Sequence, residues 1–319
     1  MSQNDAPLVP WLGDAAAVES LPRRLRRRAG WAVRDRWPSR AVTREVQGVR
    51  MTLPWVHRLP DYTATPGSPY GQNLVRLAAL LHRTDAPLHV LDVGANVGDS
   101  ALQVLAATPG ARVLCVEADD FYLSFLRRNA TDRMAVEPSL LLTGDAPAAA
   151  AAPVRHWGTT TFTATPGPPA GATPTVTVAE LLARHPDFAP VRLVKSDTDG
   201  YDVELVPALA RAYAANRPVL FFEYDLRQTR AAGLDPLPVW GDLAAQGYAE
   251  VAIWSNGGLP LTRLPLASMP AAVEELEARE AAEAAAGRRQ TAYWDVAVVH
   301  ADDAVGLRAT CELVPSHPG

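Results

Sequence analysis

Short apolar runs of strand length alternate along the chain with longer segments whose apolar residues recur at helical spacing. The strand-type runs are Leu88–Asp92, Val113–Glu117, Leu140–Leu142, Val191–Lys195, Pro218–Phe222, Ala249–Trp254 and Trp294–His300, with Arg50–Leu59 as an extended entry segment. Between them, helices are predicted over Asn73–Arg83 (Leu74, Leu77, Leu80, Leu81), from about Ser100, and over Phe121–Asn129, Val178–Arg184, Asp202–Ala215, Pro238–Gln246 and Ala271–Ala286. Thr177 is placed to cap the fourth of these. Residues 146–174, rich in Ala, Pro, Gly and Thr, read as a loop with one hairpin around Thr159–Thr163. Strands alternating with helices imply an α/β fold, a mostly parallel sheet covered on both faces. The last two strands lie close in sequence, so one is expected to run antiparallel at the sheet edge.

The ends of these strands carry the chemistry. In open α/β sheets ligands bind outside the carboxyl ends of the strands. The first predicted strand ends in Asp92, followed by Gly94, Ala95, Asn96, Gly98 and Asp99, with a helix starting near Ser100; the next strand ends in Glu117. Together they make the first βαβ half of a nucleotide-type fold. A dinucleotide fingerprint needs G-x-G-x-x-G to bring backbone close to a pyrophosphate. Here Asp92 and Asp99 flank the turn and would repel one. They suit a ligand with a positive centre, such as S-adenosylmethionine with its sulfonium, ammonium and ribose hydroxyls, the last within reach of Glu117. Taken alone, the glycines could mark only a turn.

Acidic residues recur at the next three strand ends: Asp145 after Gly144, Asp197 and Asp199, then Glu223 and Asp225. Any one of them can be a cap or an Asx turn. Asp145 is read as an acceptor for an adenine amino group or as such a turn. Lys195 and Asp197 share a strand face by the period of two, and a lysine near a buried strand end needs an anionic partner. Asp197 is the candidate base for a hydroxyl proton, or with Glu223 a ligand for a divalent cation, for which oxygen donors favour Mg2+. A structural Lys–Asp pair is the alternative. The seven histidines show no ligand spacing; His57 and His156 lie in segments able to cover the site and are read as surface histidines, with a catalytic role as the alternative.

Composition narrows the classes. The 319 residues are 48% apolar, enough for one large α/β domain and an appendage, and the net charge of −5 argues against a nucleic-acid partner. Two cysteines, Cys115 and Cys311, give no disulfide framework and fit a reducing cytoplasm. No apolar run reaches the roughly 18 residues of a membrane span, and no signal core follows the N-terminal charges. Residues 1–48 are Pro- and Arg-rich, with nine arginines between 23 and 44 and Trp31 and Trp37 interleaved. The arm is expected to be partly helical, with residues 23–44 forming a solvated helix folded over a domain spanning 49–319. Contact with an acidic partner, lipid headgroups or an anionic substrate, or oligomerisation through the arm, is the alternative. Lys195 is the only lysine among 30 basic residues.

Three motifs read together resemble a known family: Val90–Asp99 with Val116-Glu117-Ala118, then Lys195-Ser196-Asp197-Thr198-Asp199-Gly200-Tyr201-Asp202, then Pro218–Glu223. They are similar to the FkbM-type methyltransferases over roughly residues 70–300. The resemblance implies a Rossmann-like class I methyltransferase sheet, S-adenosylmethionine as cofactor, and methylation of a hydroxyl on a sugar, polyketide or other secondary metabolite or glycoconjugate. It implies Asp92, Gly94, Ala95, Asn96, Gly98, Asp99, Ser100, Glu117, Ala118 and Asp145 as cofactor contacts, and Asp197, Lys195 and Glu223 as the catalytic group. The family usually reads Lys-Ile-Asp-Val-Glu-Gly-Ala-Glu at the second motif; Ser196, Thr198, Asp199 and Asp202 depart from it. A non-catalytic protein of the same fold and a nicotinamide-dependent oxidoreductase stay open as other functions.

Overall fold

The structure, a computed structural model, describes residues 21–144, 151–156, 159–164, 173–286 and 293–315. In chain order it contains α1 (Leu21–Arg34), β1 (Ala41–Val46), β2 (Val49–Pro54), α2 (Leu59–Tyr62), α3 (Gln72–His82), β3 (His89–Val93), α4 (Asp99–Ala107), β4 (Arg112–Val116), α5 (Asp120–Asn129), β5 (Met134–Glu137), β6 (Leu140–Leu142), β7 (Ala151–His156) and β8 (Thr159–Ala164). There follow β9 (Thr175–Thr177), α6 (Val178–Arg184), β10 (Leu193–Ser196), α7 (Asp202–Ala212), β11 (Val219–Asp225), α8 (Leu226–Ala231), α9 (Pro238–Ala245), β12 (Tyr248–Ser255), β13 (Pro260–Pro265), α10 (Met269–Ala285), β14 (Tyr293–His300) and α11 (Ala304–Leu313).

Eight strands form one sheet in the order β13-β12-β14-β11-β10-β3-β4-β5. The run from β11 through β10, β3 and β4 to β5 is parallel. β14 is antiparallel to both of its neighbours, β11 and β12, so it is an interior strand; the antiparallel edge is β13. This mainly parallel sheet with helices on both faces is the Rossmann-like class expected from the sequence.

Strand alternation sorts the core into two layers. Leu91, Val93, Leu114, Val116, Val194, Leu220 and Phe222 pack with Leu181, Leu205, Leu209, Trp240 and Leu243 of α6, α7 and α9. Val90, Val113, Cys115, Leu193, Val219 and Phe221 pack with α3, α4 and α11 through Leu77, Leu81, Val104, Leu105 and Ala309. Each buried aliphatic side chain of this kind stabilises the fold by about 1.5–3 kcal/mol. α6 begins with a full capping box, Thr177 and Glu180 each bonding the other's backbone N–H.

Two expectations need correction. The third parallel strand is β5, Met134–Glu137, next to β4. Leu140–Leu142 lies outside the main sheet and pairs with β9; its three leucines outscore Met134–Glu137 in apolar character, but β5 hugs β4 through backbone hydrogen bonds. The arm is helical only to Arg34. Residues 41–46 are a strand, and the arm boundary drawn after residue 48 falls in the Gln47–Gly48 turn of the β1–β2 hairpin. That hairpin is no appendage, because Val46, Met51 and Leu53 pack with Val97 and Leu102 of the turn and α4 and with Tyr122 and Phe125 of α5.

Candidate active site

The turn after β3 is held by backbone on both sides. The N–H groups of Gly94 and Ala95 donate to the Val116 carbonyl on β4, and Asp197 N–H donates to the Val93 carbonyl. Gly94 has φ +72° and approaches β10 so closely that a Cβ there would lie 2.0 Å from the Asp197 carbonyl oxygen. Asn96 is left-handed at φ 51°, and Gly98, at φ 82°, precedes α4. A Cβ on Gly98 would meet Leu126 at 2.6 Å. The glycines therefore permit backbone and helix packing, which a bare turn would not require.

Glu117 lies under this turn, 7% exposed. Its two carboxylate oxygens accept the N–H groups of Asn96 and Asp119, each at 2.7 Å. Burial pushes its carboxyl up to about 7, against the pull of those two hydrogen bonds. Ala118 is half-buried beside it. Asp119 caps α5 through Phe121 N–H.

The strand registers then gather a charged group. Lys195 is the direct neighbour of Asp92 across β10 and β3, and Glu223 that of Asp295 across β11 and β14. Side-chain alternation puts all four on the sheet face that α3 and α4 cover, with Asp197 just past the end of β10. Lys195 Nζ lies 3.0 Å from Asp92 Oδ1 and 3.6 Å from Asp197 Oδ2, and donates to the Gly94 carbonyl at 3.1 Å. Burial opposes the ammonium charge, but Asp92 and Asp197 outweigh it and hold Lys195 above the ordinary lysine range. Ser100 Oγ donates to Asp92 Oδ2 at 2.6 Å. Asp92, 2% exposed, is thus engaged from two sides beneath the turn, by the Lys195 ammonium and the Ser100 hydroxyl, while the Asp197 side chain is 48% exposed.

Glu223 faces carboxylates. Burial, then Asp197 and Asp295, push its carboxyl well above the usual range. Burial also raises Asp295 to about 7, although it accepts Asn73 Nδ2–H at 2.7 Å. Burial raises Asp99, with His57 and Lys195 pulling the other way. Tyr70 completes the wall: its hydroxyl is raised by burial and by the charges of Asp197, Asp99 and Asp295.

On the opposite face of the sheet, Ser196 Oγ donates to Asp202 Oδ1 at 2.6 Å, and Thr198 N–H to Asp202 Oδ2 at 3.2 Å. Ser196 and Asp202 are both buried, and burial raises Asp202 to about 6. Two departures from the family pattern are therefore one hydrogen-bonded pair that fixes the loop carrying Asp197. Asp199, at φ 53°, accepts from Gln228 Nε2.

His57 is buried, not on the surface. Its Nδ1 accepts Leu59 N–H at 3.3 Å, so its Nε2 carries the proton and donates to Asn96 Oδ1 at 3.2 Å. Burial lowers its basicity, partly offset by Asp99. It braces the Asn96 turn. Neither ring nitrogen is left to take a proton from a substrate.

The sequence reading missed Asp295, Tyr70 and Asn73, and it missed Glu137 at the end of the true third strand. Glu137 accepts from Ser139, Arg184 and His185 at 2.6, 3.0 and 3.0 Å, a closed structural cluster. Asp145 lies outside the described residues, and so does the side chain of His156. The metal expectation is not met: among the described residues no group of three or more His, Cys, Asp or Glu side chains is placed to hold a metal ion. Asp197 is drawn to Lys195, and Glu223 is driven towards its neutral form. The chemistry of the donor set fits a cation of another kind. Asp92 and Asp99 flank the turn and the chain's only lysine is already engaged by Asp92, so the turn suits a positively charged ligand better than a pyrophosphate.

No protein-family model matches the chain, and no curated protein sequence matches it. Solved structures that it is similar to include the METTL16 MTase domain (10% identity, TM-score 0.43, covering 80% of this chain and 75% of that one). The O-methyltransferase from Bacillus cereus in complex with SAH has 14% identity and a TM-score of 0.38, over 72% of this chain and 80% of that one. The precorrin-6y C5,15-methyltransferase from Geobacter metallireducens has 14% identity and a TM-score of 0.36, over 71% and 86%. At such identities and scores the fold assignment rests on the strand order and directions of this chain's own sheet.

Proposed function

We propose that this chain is an S-adenosylmethionine-dependent methyltransferase of the FkbM type, acting on a hydroxyl of a sugar, polyketide or other secondary metabolite or glycoconjugate. The observation that carries the reading is Glu117, a buried carboxylate that closes on the backbone of the Gly94–Gly98 turn, within a rim of acids and without a phosphate-binding glycine pattern. Bound there, S-adenosylmethionine supplies an electrophilic methyl group. Glu117 would accept from its ribose hydroxyls, and Asp99 would complement its positive charge. Asp197, the most exposed carboxylate of the charged group, takes the proton of the acceptor hydroxyl. Lys195 holds Asp197 in place. Glu223, whose carboxyl burial and the neighbouring acids Asp197 and Asp295 raise above the usual range, lies beside Asp197 to orient the acceptor. The enzyme's remaining contribution is to align oxygen, methyl carbon and sulfur.

The test is transfer of labelled methyl from S-adenosylmethionine to a panel of hydroxylated sugars and polyketides. Transfer is expected, and Asp197→Asn should cut turnover about a hundredfold while leaving cofactor affinity unchanged. Cofactor binding with no transfer to any acceptor would favour a non-catalytic protein, and binding of NADH instead would favour an oxidoreductase.

A further inference from the structure

We propose that α1 and the segment after it form an interfacial anchor that docks on an anionic lipid surface and holds the open rim of the sheet near it. Residues 23–44 hold nine of the chain's 30 basic residues and one of its 35 acids, in a protein of net charge −5. That asymmetry is confined to one segment, which is docked in a defined place. Trp31 Nε1 donates to Asp61 at 2.9 Å, Arg58 pairs with Asp35 at 3.1 Å and stacks over the Trp31 ring at 4.2 Å, and Arg34 pairs with Asp61 at 2.5 Å. Trp31, Arg34 and Asp35 occur at i, i+3 and i+4, one helix face. This inner face is spent on the domain.

The docking partners lead straight to the candidate site. Arg58 follows His57, which holds Asn96 of the turn, and Tyr62, next to Asp61, packs its ring 5.1 Å from that of Tyr70. The arm therefore sits at the mouth of the acidic rim. Away from its docked face it presents Arg28, Arg36 and Arg44, all exposed. Among them stand Val33 and Trp37, 50% and 52% exposed, with Tyr62 at 50% nearby. Exposed cations alone describe a solvated helix. Cations interleaved with exposed aliphatic and aromatic side chains describe a surface that inserts apolar groups between lipid headgroups while its arginines meet the phosphates. A nucleic acid offers nothing to Val33. Threaded towards the site, it would also meet Asp197 and its neighbouring carboxylates. A bilayer touches only the arm. Such contact is independent of whether the site transfers a methyl group, and it orients the rim towards acceptors held at the lipid–water interface.

Co-sedimentation of the full chain with vesicles tests this. Vesicles of phosphatidylcholine containing one-quarter phosphatidylglycerol should bind the protein in low salt, and pure phosphatidylcholine should not. Binding should fall away near about 0.5 M salt, where screening shortens electrostatic reach to a few ångströms. The triple variant Arg28→Glu, Arg36→Glu, Arg44→Glu should bind at least about thirtyfold more weakly, as expected for loss of several arginine–headgroup contacts. Val33→Asn, an exposed position that leaves the docked face untouched, should weaken binding a few-fold; circular dichroism reports that both variants remain folded. Three results would overturn the proposal: no binding to the anionic vesicles in low salt, undiminished binding by the folded triple variant, or displacement from vesicles by a stoichiometric single-stranded oligonucleotide, which would assign the arm to a polynucleotide.

Discussion

Lys195 and Asp92 form an ion pair of 3.0 Å directly across two parallel strands, with side chains 9% and 2% exposed. Removing one partner of a buried pair strands the other charge, at a cost of about 3–5 kcal/mol. Lys195→Met should therefore lower the urea midpoint sharply, and Lys195→Met with Asp92→Asn should recover most of the loss. If the single variant unfolds at the wild-type midpoint, the pair does not anchor the turn.

The turn itself sets up a contrast between two glycines of similar conformation. Gly94 and Gly110 have φ of +72° and +79°, but an added Cβ meets the Asp197 carbonyl at 2.0 Å in the first case and nothing within 4 Å in the second. Gly110→Ala should cost only the left-handed penalty of about 1–2 kcal/mol. Gly94→Ala should cost far more, because β3 and β10 must part, and it should abolish soluble folded protein or lower the thermal midpoint well below that of Gly110→Ala. Equal midpoints would show that the two strand ends do not approach as described.

Several buried carboxyls titrate above their usual range, and this fixes a pH dependence. Burial raises Glu117, Asp199 and Asp295 to about 7 and Asp202 to about 6. Between about pH 4 and about pH 7 the folded chain binds more protons than the unfolded one at these groups, so their contribution to stability falls as pH rises through that window. Denaturation at a series of pH values should show it. Asp295→Asn should flatten the slope and make the variant relatively more stable near pH 8. A slope of the opposite sign, unchanged in Asp295→Asn, would refute the assignment for Asp295.

The β3–α4–β4 unit was legible because its signals are local: an apolar run, an acid, small residues, then helical spacing, all within about thirty residues. Glu117 and the Lys195–Asp197 spacing followed from the same rules. Glu137 did not, because Met134–Glu137 is short and mostly half-buried, while the adjacent Leu140–Leu142 looks more like a core strand. Asp295 joins the site only because β14 inserts antiparallel between β11 and β12, which brings residues 223 and 295 opposite each other. His57 reaches Asn96 only because the β1–β2 hairpin packs on α4 and α5. Such long-range placements leave no period or spacing in the chain. The Ser196–Asp202 pair was visible only as two departures from a pattern, and its meaning emerged once the hydrogen bond between them was seen.

The pull between burial and hydrogen bonding at Glu117 also makes cofactor affinity pH-dependent. A carboxylate accepts hydroxyl donors better than a carboxylic acid, so affinity for S-adenosylmethionine should rise with pH through about 7, and Glu117→Gln should flatten that rise. Calorimetric titrations at a series of pH values measure it, and a wild-type affinity that is flat across the range would separate Glu117 from the ligand.

The central claim is that the acid-rimmed turn binds S-adenosylmethionine through Glu117. Isothermal titration calorimetry of S-adenosylmethionine into the wild type and into folded Glu117→Ala at pH 8 tests it most directly. The wild type should bind S-adenosylmethionine and not NADH, and the variant should lose about 1–3 kcal/mol of binding free energy, the range for a hydrogen bond to a charged group. Equal affinity in the folded variant, or a wild type that binds NADH in preference, would contradict the account.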